Sequence, residues 1–252
     1  MEKLEADIVI VGTGASGLFA ALHVPNDKKV LMLTKSDVEN SDSFLAQGGI
    51  CVLRDKNDFD SFMEDTMKAG HYENRKESVE IMINSSRDII NELIGYGVDF
   101  ATKDGELDYT REGAHSKPRI LFHEDITGKE ITSTLLDVVR KLENVTIMEY
   151  VTMTDIIEKD NVCYGVLAKD ANNNEMSIEA GYTIFACGGI GGLYDHSTNY
   201  PHLTGDAIAI AIQHGIKLEN VDYVQIHPTT LYTKKKGRAF LISESVRGEG
   251  AK

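Results

Sequence analysis

The chain has no tryptophan, 4 prolines and 3 cysteines in 252 residues. Cys51, Cys163 and Cys187 are odd in number, far apart and set among apolar neighbours. That pattern argues against a disulfide framework and against a metal site, and metal is not expected. The three read as reduced, mostly buried thiols of a cytoplasmic protein. Basic residues are scarce, 26 Lys+Arg against 40 Asp+Glu. Nucleic acid is therefore not an expected partner, because its binding draws on Lys and Arg at phosphates. No stretch approaches the roughly 18 apolar residues of a membrane-spanning helix, so no membrane partner is expected either. Residues 1–7 are charged and run straight into a strand pattern, unlike a secretory signal. What remains, 42% hydrophobic and 26% charged residues with 22 glycines, is the composition of a globular protein long enough to bury a large core.

Residues 7–12, Asp-Ile-Val-Ile-Val-Gly, form a β-branched run that stops at glycine, as a strand buried on both faces of a parallel sheet does. Small and apolar residues over 15–24 predict a helix, Pro25-Asn26-Asp27 a break, and residues 29–34 a second strand. Strand, helix and strand within about 30 residues make a βαβ unit. Helical apolar spacing follows over 60–69 and 77–96, then a polar, glycine-bearing stretch over 102–117 that reads as surface loop, then a helix over 127–142. Strand patterns occupy 145–150, 162–169 and 176–185, with Asn172-Asn173-Asn174 turning between the last two. Residues 206–214 predict a helix closed by Gly215. The dense polar and glycine content of 243–252 is that of a functional loop, and the chain is expected to be a fragment.

Gly12-Thr13-Gly14-Ala15-Ser16-Gly17 lies directly after the buried strand and opens a helix. The first glycine permits a tight turn, the second lets backbone amides approach a pyrophosphate, and the third allows close helix–strand packing. The alternative is a glycine-rich structural turn, but strand and helix flank it as dinucleotide binding requires. An NAD site usually carries Asp or Glu at the end of the second strand to hold the ribose. Thr34-Lys35 stands there instead, which disfavours that clamp and suits a phosphate or the adenosine part of a larger cofactor. A solvated strand-end charge is the other reading of Lys35. Asp42, Ser43, Phe44, Leu45, Ala46, Gln47, Gly48 and Gly49 make a second loop of small hydrogen-bonding residues, of the kind that approaches an extended ligand.

Taken in order, Gly12–Gly17, Thr34-Lys35, Ser43–Gly49, Ala186-Cys187-Gly188-Gly189 and Gly205-Asp206 resemble the succinate dehydrogenase/fumarate reductase flavoprotein superfamily. Thr110-Arg111-Glu112-Gly113-Ala114-His115-Ser116 followed by Arg119-Ile120-Leu121, Gln225-Ile226-His227-Pro228-Thr229 and Ser243-Glu244-Ser245-Val246-Arg247-Gly248-Glu249-Gly250 resemble, within it, the L-aspartate oxidase family, with His115 and Arg119 as structural supports. The resemblance implies an α/β fold: a Rossmann-like FAD-binding domain with an inserted β-meander over 1–222, and the truncated start of a capping domain over 223–252. It implies FAD, with Thr13, Gly14, Ala15 and Ser16 at the pyrophosphate, Lys35 by the adenosine half and Asp42 to Gly49 along the flavin. Thr152 and Met153 are implied at adenine, and Asp206 at the cofactor. Asp42 stands where membrane-complex members carry the histidine that holds FAD covalently, so the flavin is expected to be non-covalent. Ala114 and Ala207 stand where glycine is usual.

The implied reaction is oxidation of L-aspartate to iminoaspartate, with the flavin taking a hydride and oxygen or fumarate reoxidising it. The product would pass to quinolinate synthesis and NAD biosynthesis. A dicarboxylate needs cationic or donor groups, and an α-amino group needs an acceptor. Glu112 is implied as that acceptor, His227 and Ser243 as carboxylate donors and Arg247 as a member of the same motif. On the residues alone, Glu112 reads as a solvated charge, His227 as a packing or turn histidine, and Arg247 as a partner of Glu244 or Glu249. Fumarate reduction or succinate oxidation is the alternative activity, and a non-catalytic FAD-binding module the alternative class. The 252 residues alone are expected to turn over little, bind FAD weakly and self-associate through exposed apolar surface.

Overall fold

The computed structural model describes residues 2–227, 230–232, 234 and 237–242. The described residues divide into two units, those within 2–44 and 135–241 in the first and those within 45–134 with Ile242 in the second.

The first unit is built on a six-stranded sheet. β1 (Glu2–Val11) leads into α1 (Ala15–Leu22) and β2 (Val30–Thr34). β1 lies parallel to β2 on one side, from Ile8↔Val30 to Val11↔Leu33, and parallel to strand Glu175–Phe185 on the other. Strand Val145–Glu149 extends the parallel part beyond β2. All five residues of β2 are buried, as its unbroken apolar run requires of a strand covered on both faces. Fully burying residues such as Ile10, Met32 and Leu33 contributes about 1.5–3 kcal/mol each.

The expected meander is present: Glu175–Phe185 pairs antiparallel with Val162–Lys169, which pairs antiparallel with Thr152–Lys159. Strand Thr152–Lys159 was not among the strands predicted from sequence. Its alternation is blurred by register shifts at Met153/Asp155 and Ile156/Glu158. The two-residue turn Asp160-Asn161, both at positive φ, is the signal that locates it. β1 also starts earlier than expected, because pairing of Glu2–Ala6 with Met176–Ala180 overrides the poor strand propensity of its charges. Val9, Val11, Leu33, Val166 and Ile178 form the core, with Ile210 of helix Asp206–Gln213 packed against them.

In the second unit, helix Phe59–Ala69 packs on helix Lys76–Tyr96 around Phe62, Val79 and Ile83. Gly97, at φ +106°, closes the longer helix in the left-handed conformation. The stretch expected as loop over 102–117 contains a hairpin, Thr102–Lys103 with Glu106–Leu107, turned by Asp104-Gly105 at positive φ. Sequence reading passed over this Asp-Gly signal for a type I′ turn. Ile50–Cys51 pairs antiparallel with Ile120–Leu121. The three cysteines are free thiols of intermediate burial, as the expected reduced, mostly buried thiols are. No helix among the described residues is long and apolar enough to cross a membrane.

Candidate functional site

The glycine-rich turn follows β1 at the end where the parallel strands β2 and Glu175–Phe185 also finish, the end at which open parallel sheets take ligands. Gly12 has φ +119°, and a Cβ there would sit 2.1 Å from Ala186 O. A Cβ on Gly17 would sit 2.0 Å from Gly12 O, so the third glycine lets α1 press onto the turn. Gly14 is the N-cap of α1 and supplies no capping side chain, and the first turn carries no acid. The positive end of the helix dipole is thus left for an anion. Ala15 N donates to Ser43 Oγ at 3.0 Å, and Thr13 Oγ1 donates to Val38 O at 3.1 Å, tying the turn to the segment after β2.

A groove of about 490 Å³ runs from this turn along the strand ends. Gly12, Thr13, Gly14, Ser16, Lys35, Asp42, Ser43, Met153 and Asp206, all expected at the cofactor, line it. Ala15, Gly17 and Phe44 lie next to lining residues without lining it, and so does Thr152, which sits in a strand. Lys35 Nζ donates to Asp206 Oδ2 at 2.6 Å and to Thr204 Oγ1 at 2.8 Å. Asp42 accepts from Tyr200 N at 3.0 Å and from Asn199 Nδ2. Burial pushes its carboxyl up, and those two hydrogen bonds oppose the rise.

Sequence reading missed His202, which lines the groove and donates from Nε2 to Asn40 O at 3.0 Å. Burial holds its imidazole below the ordinary value. A histidine between Pro201 and Leu203 carries no local signal for this role. Cys187, read as a small core residue, also lines the groove, and burial followed by the Asp206 charge pushes its thiol up to about 11. It is a neutral wall group.

The second unit holds Leu45, Ala46, Gln47, Gly48 and Gly49. Ala46 O accepts from Gly128 N at 2.8 Å. Gly49 is packed so closely that a Cβ would lie 2.3 Å from Leu121 O. Glu112 Oε1 accepts from Gly49 N at 3.1 Å, so the structure brings the expected ammonium acceptor onto the expected flavin loop. Among the described residues Gln47 Oε1 is buried without a hydrogen-bond partner, an acceptor that a ligand N–H would satisfy.

His227 belongs to the first unit, where it lines a separate cavity of about 730 Å³ with His196, Asn199 and Gln225. Ser243 and Arg247 lie outside the described residues. Among the described residues no group of three His, Cys, Asp or Glu is placed to hold a metal ion.

Residues 7–252 match the family model described as FAD binding domain. The chain belongs to this family of flavoproteins. It is 46% identical over 251 residues to the L-aspartate oxidase of Clostridium perfringens, covering 99% of this chain and 57% of that protein. It is 37% identical over 256 residues to that of Acinetobacter baylyi, covering 97% of this chain and 47% of that protein. Among solved structures, an E. coli quinol fumarate reductase FrdA mutant superposes with a TM-score of 0.92 at 27% identity, covering 99% of this chain and 43% of that one. The chain thus spans about half the length of the curated relatives it matches. The expected α/β, Rossmann-like FAD-binding fold with its meander is borne out. FAD is the cofactor of the family, and the residues fit it: an acid-free helix N-terminus, a glycine cradle and an extended groove lined on both sides of that turn.

Proposed function

We propose that the protein serves the FAD-dependent oxidation of L-aspartate to iminoaspartate. The observation that carries this reading is the Glu112–Gly49 hydrogen bond. A carboxylate held on the flavin-facing loop is an acceptor for an α-ammonium group and repels a plain dicarboxylate. Identity to L-aspartate oxidases supports the same reading.

When bound, FAD supplies a two-electron acceptor. In this reading Thr13 to Ser16 hold the pyrophosphate on backbone amides, Lys35, Thr152 and Met153 face the adenosine half, and Asp206 contacts the cofactor. Asp42 to Gly49 border the flavin, which is held without a covalent bond because Asp42 offers no ring nitrogen. Glu112 keeps Oε1 on Gly49 and turns Oε2 to the substrate ammonium, orienting the Cα–H bond. His227, Ser243 and Arg247 take the carboxylates. Residues 1–222 form the cofactor-binding domain and 223–252 the start of the capping domain. The product would feed quinolinate and NAD synthesis in the cytoplasm, and oxygen or fumarate would accept the electrons.

Likeness to fumarate reductase favours a second reading, reduction of fumarate or oxidation of succinate. Anaerobic mixing of the FAD-loaded full-length protein with either compound separates them. L-Aspartate is expected to bleach the visible flavin band and succinate is not; the reverse result would assign the second reading. Bleaching by neither would leave an FAD-binding module. The 252 residues alone are expected to show weak FAD affinity and little turnover. Their exposed Ile226, Tyr232 and Tyr182 favour self-association, and a clean monomer on size-exclusion chromatography would count against it.

A further inference from the structure

Among the described residues Arg119 is the largest fully buried side chain, and the proposed reaction makes no use of it. Its Nε and Nη2 donate to Asp58 at 3.1 and 2.9 Å, and its Nη1 donates to Asp65 at 2.6 Å. Ser61 Oγ accepts at 3.0 Å, and the Phe62 ring lies 4.9 Å from the guanidinium. A burial this costly is sustained only by such complete pairing.

The same Nη1 stands 3.1 Å from His115 Nδ1. Arginine only donates, so Nδ1 is the acceptor and the ring proton sits on Nε2. Nε2 in turn donates toward Cys51 Sγ at 3.5 Å. This polarity rules out a nucleophile-activating Cys–His pair, since no ring lone pair faces the thiol. Burial and the Glu112 charge push the Cys51 thiol up. Burial, then the Arg119 charge, hold the His115 imidazole below its ordinary value against the opposing Asp65, Glu112 and Asp58. Lys117 faces the cluster from Asp58, at 3.5 Å.

We propose that Arg119 is a positioning residue that locks His115 as the Nε2–H tautomer, so that His115 on Cys51 and Glu112 on Gly49 hold the end of the flavin loop from two points. The loop's cofactor-facing role rests on the function proposed above; the lock itself does not. Two-point anchoring fixes where the Gly49 amide and the Glu112 carboxylate stand, within the narrow tolerance that oriented groups require.

Nitrogen-15 NMR of histidine-labelled protein reads the lock without FAD. The His115 ring is expected to show the Nε2–H tautomer and to stay neutral through the ordinary imidazole range. An Nδ1–H tautomer, or titration at the ordinary value, overturns the lock. Arg119→Lys keeps a cation for Asp58 and Asp65 but loses the fork. In it His115 is expected to titrate closer to its ordinary value, and FAD affinity to fall on acidification through that range. A purely structural role would lower affinity equally at every pH, and that result, or no change, overturns the proposal. Should this variant fail to fold, His115→Ala, which can neither accept from Arg119 nor donate to Cys51, is expected to raise the FAD Kd about fivefold, the loss of one positioning hydrogen bond; an unchanged Kd overturns it. If the wild-type protein binds no FAD, the cofactor half of the proposal falls, and the NMR signal still reads the lock.

Discussion

Lys35 at the end of β2 and Asp206 at the start of helix Asp206–Gln213 meet at 2.6 Å across 171 residues of chain. One groove therefore carries a cation and its counter-ion on facing walls, where an NAD site would carry an acid alone. Lys35→Met leaves the Asp206 carboxylate bonded to Thr204 Oγ1 at 2.7 Å but without its lysine counter-ion, beside an anionic cofactor. FAD affinity is expected to fall about tenfold, the loss of a charge-assisted hydrogen bond. Titration of flavin fluorescence measures it, and an unchanged Kd would make the pair a structural link only.

Gly17→Ala places a methyl 2.0 Å from Gly12 O, a backbone atom that does not yield. The helix must back away from the turn, at a cost of about 3 kcal/mol. Thermal unfolding is expected to shift down by roughly 10 °C, and an unshifted midpoint would show that α1 does not press on β1 as described.

Ala114 sits at φ +67° in the Glu112–His115 loop. The expectation of altered local geometry where glycine is usual thus has a definite form, an L-residue in the left-handed region. Ala114→Gly removes that strain but adds unfolded-chain entropy, for a net gain of about 0.5–1 kcal/mol. Urea unfolding of the two proteins compares them, and a loss of stability would refute the strain.

Acid should act in two steps. Burial, then the Arg119 charge, keep His115 below 6.5. Burial alone would raise Asp58 and Asp65, but hydrogen bonds outweigh it, from Arg119 and Ser61 on Asp58 and from Ser116 and Arg119 on Asp65, and both lie below 3.8. For all three the unfolded chain binds protons first, so their stabilisation is complete above about pH 6.5 and is lost as pH falls. A first decrease is expected between pH 6.5 and the lower His115 value, and a second below pH 3.8. Unfolding midpoints across that range should fall in this order; in His115→Gln the first step should vanish.

The strand–turn–helix over 7–22, β2 and the long helices were legible because their signals are local: a β-branched run, glycines at fixed offsets, apolar spacing. Strand Thr152–Lys159 was not, since bulges break its alternation and its partner, not its propensity, makes it a strand. Glu112 was reached only through family resemblance, because a lone glutamate in a polar loop carries no local mark. His202 and Asn199 left no trace in the order of residues.

Sequence alone determined a tight glycine turn between β1 and α1, because a side chain at Gly12 or Gly17 would strike neighbouring backbone. It also determined a buried parallel sheet, since an unbroken apolar strand has no face to offer water. Only the tertiary structure decided which distant groups stand together: Lys35 with Asp206, Gly49 with Glu112, Arg119 with His115. Those pairings arise from what burial and strand order bring within hydrogen-bond reach, and a buried polar group takes the partner that packing delivers, however far away it lies along the chain.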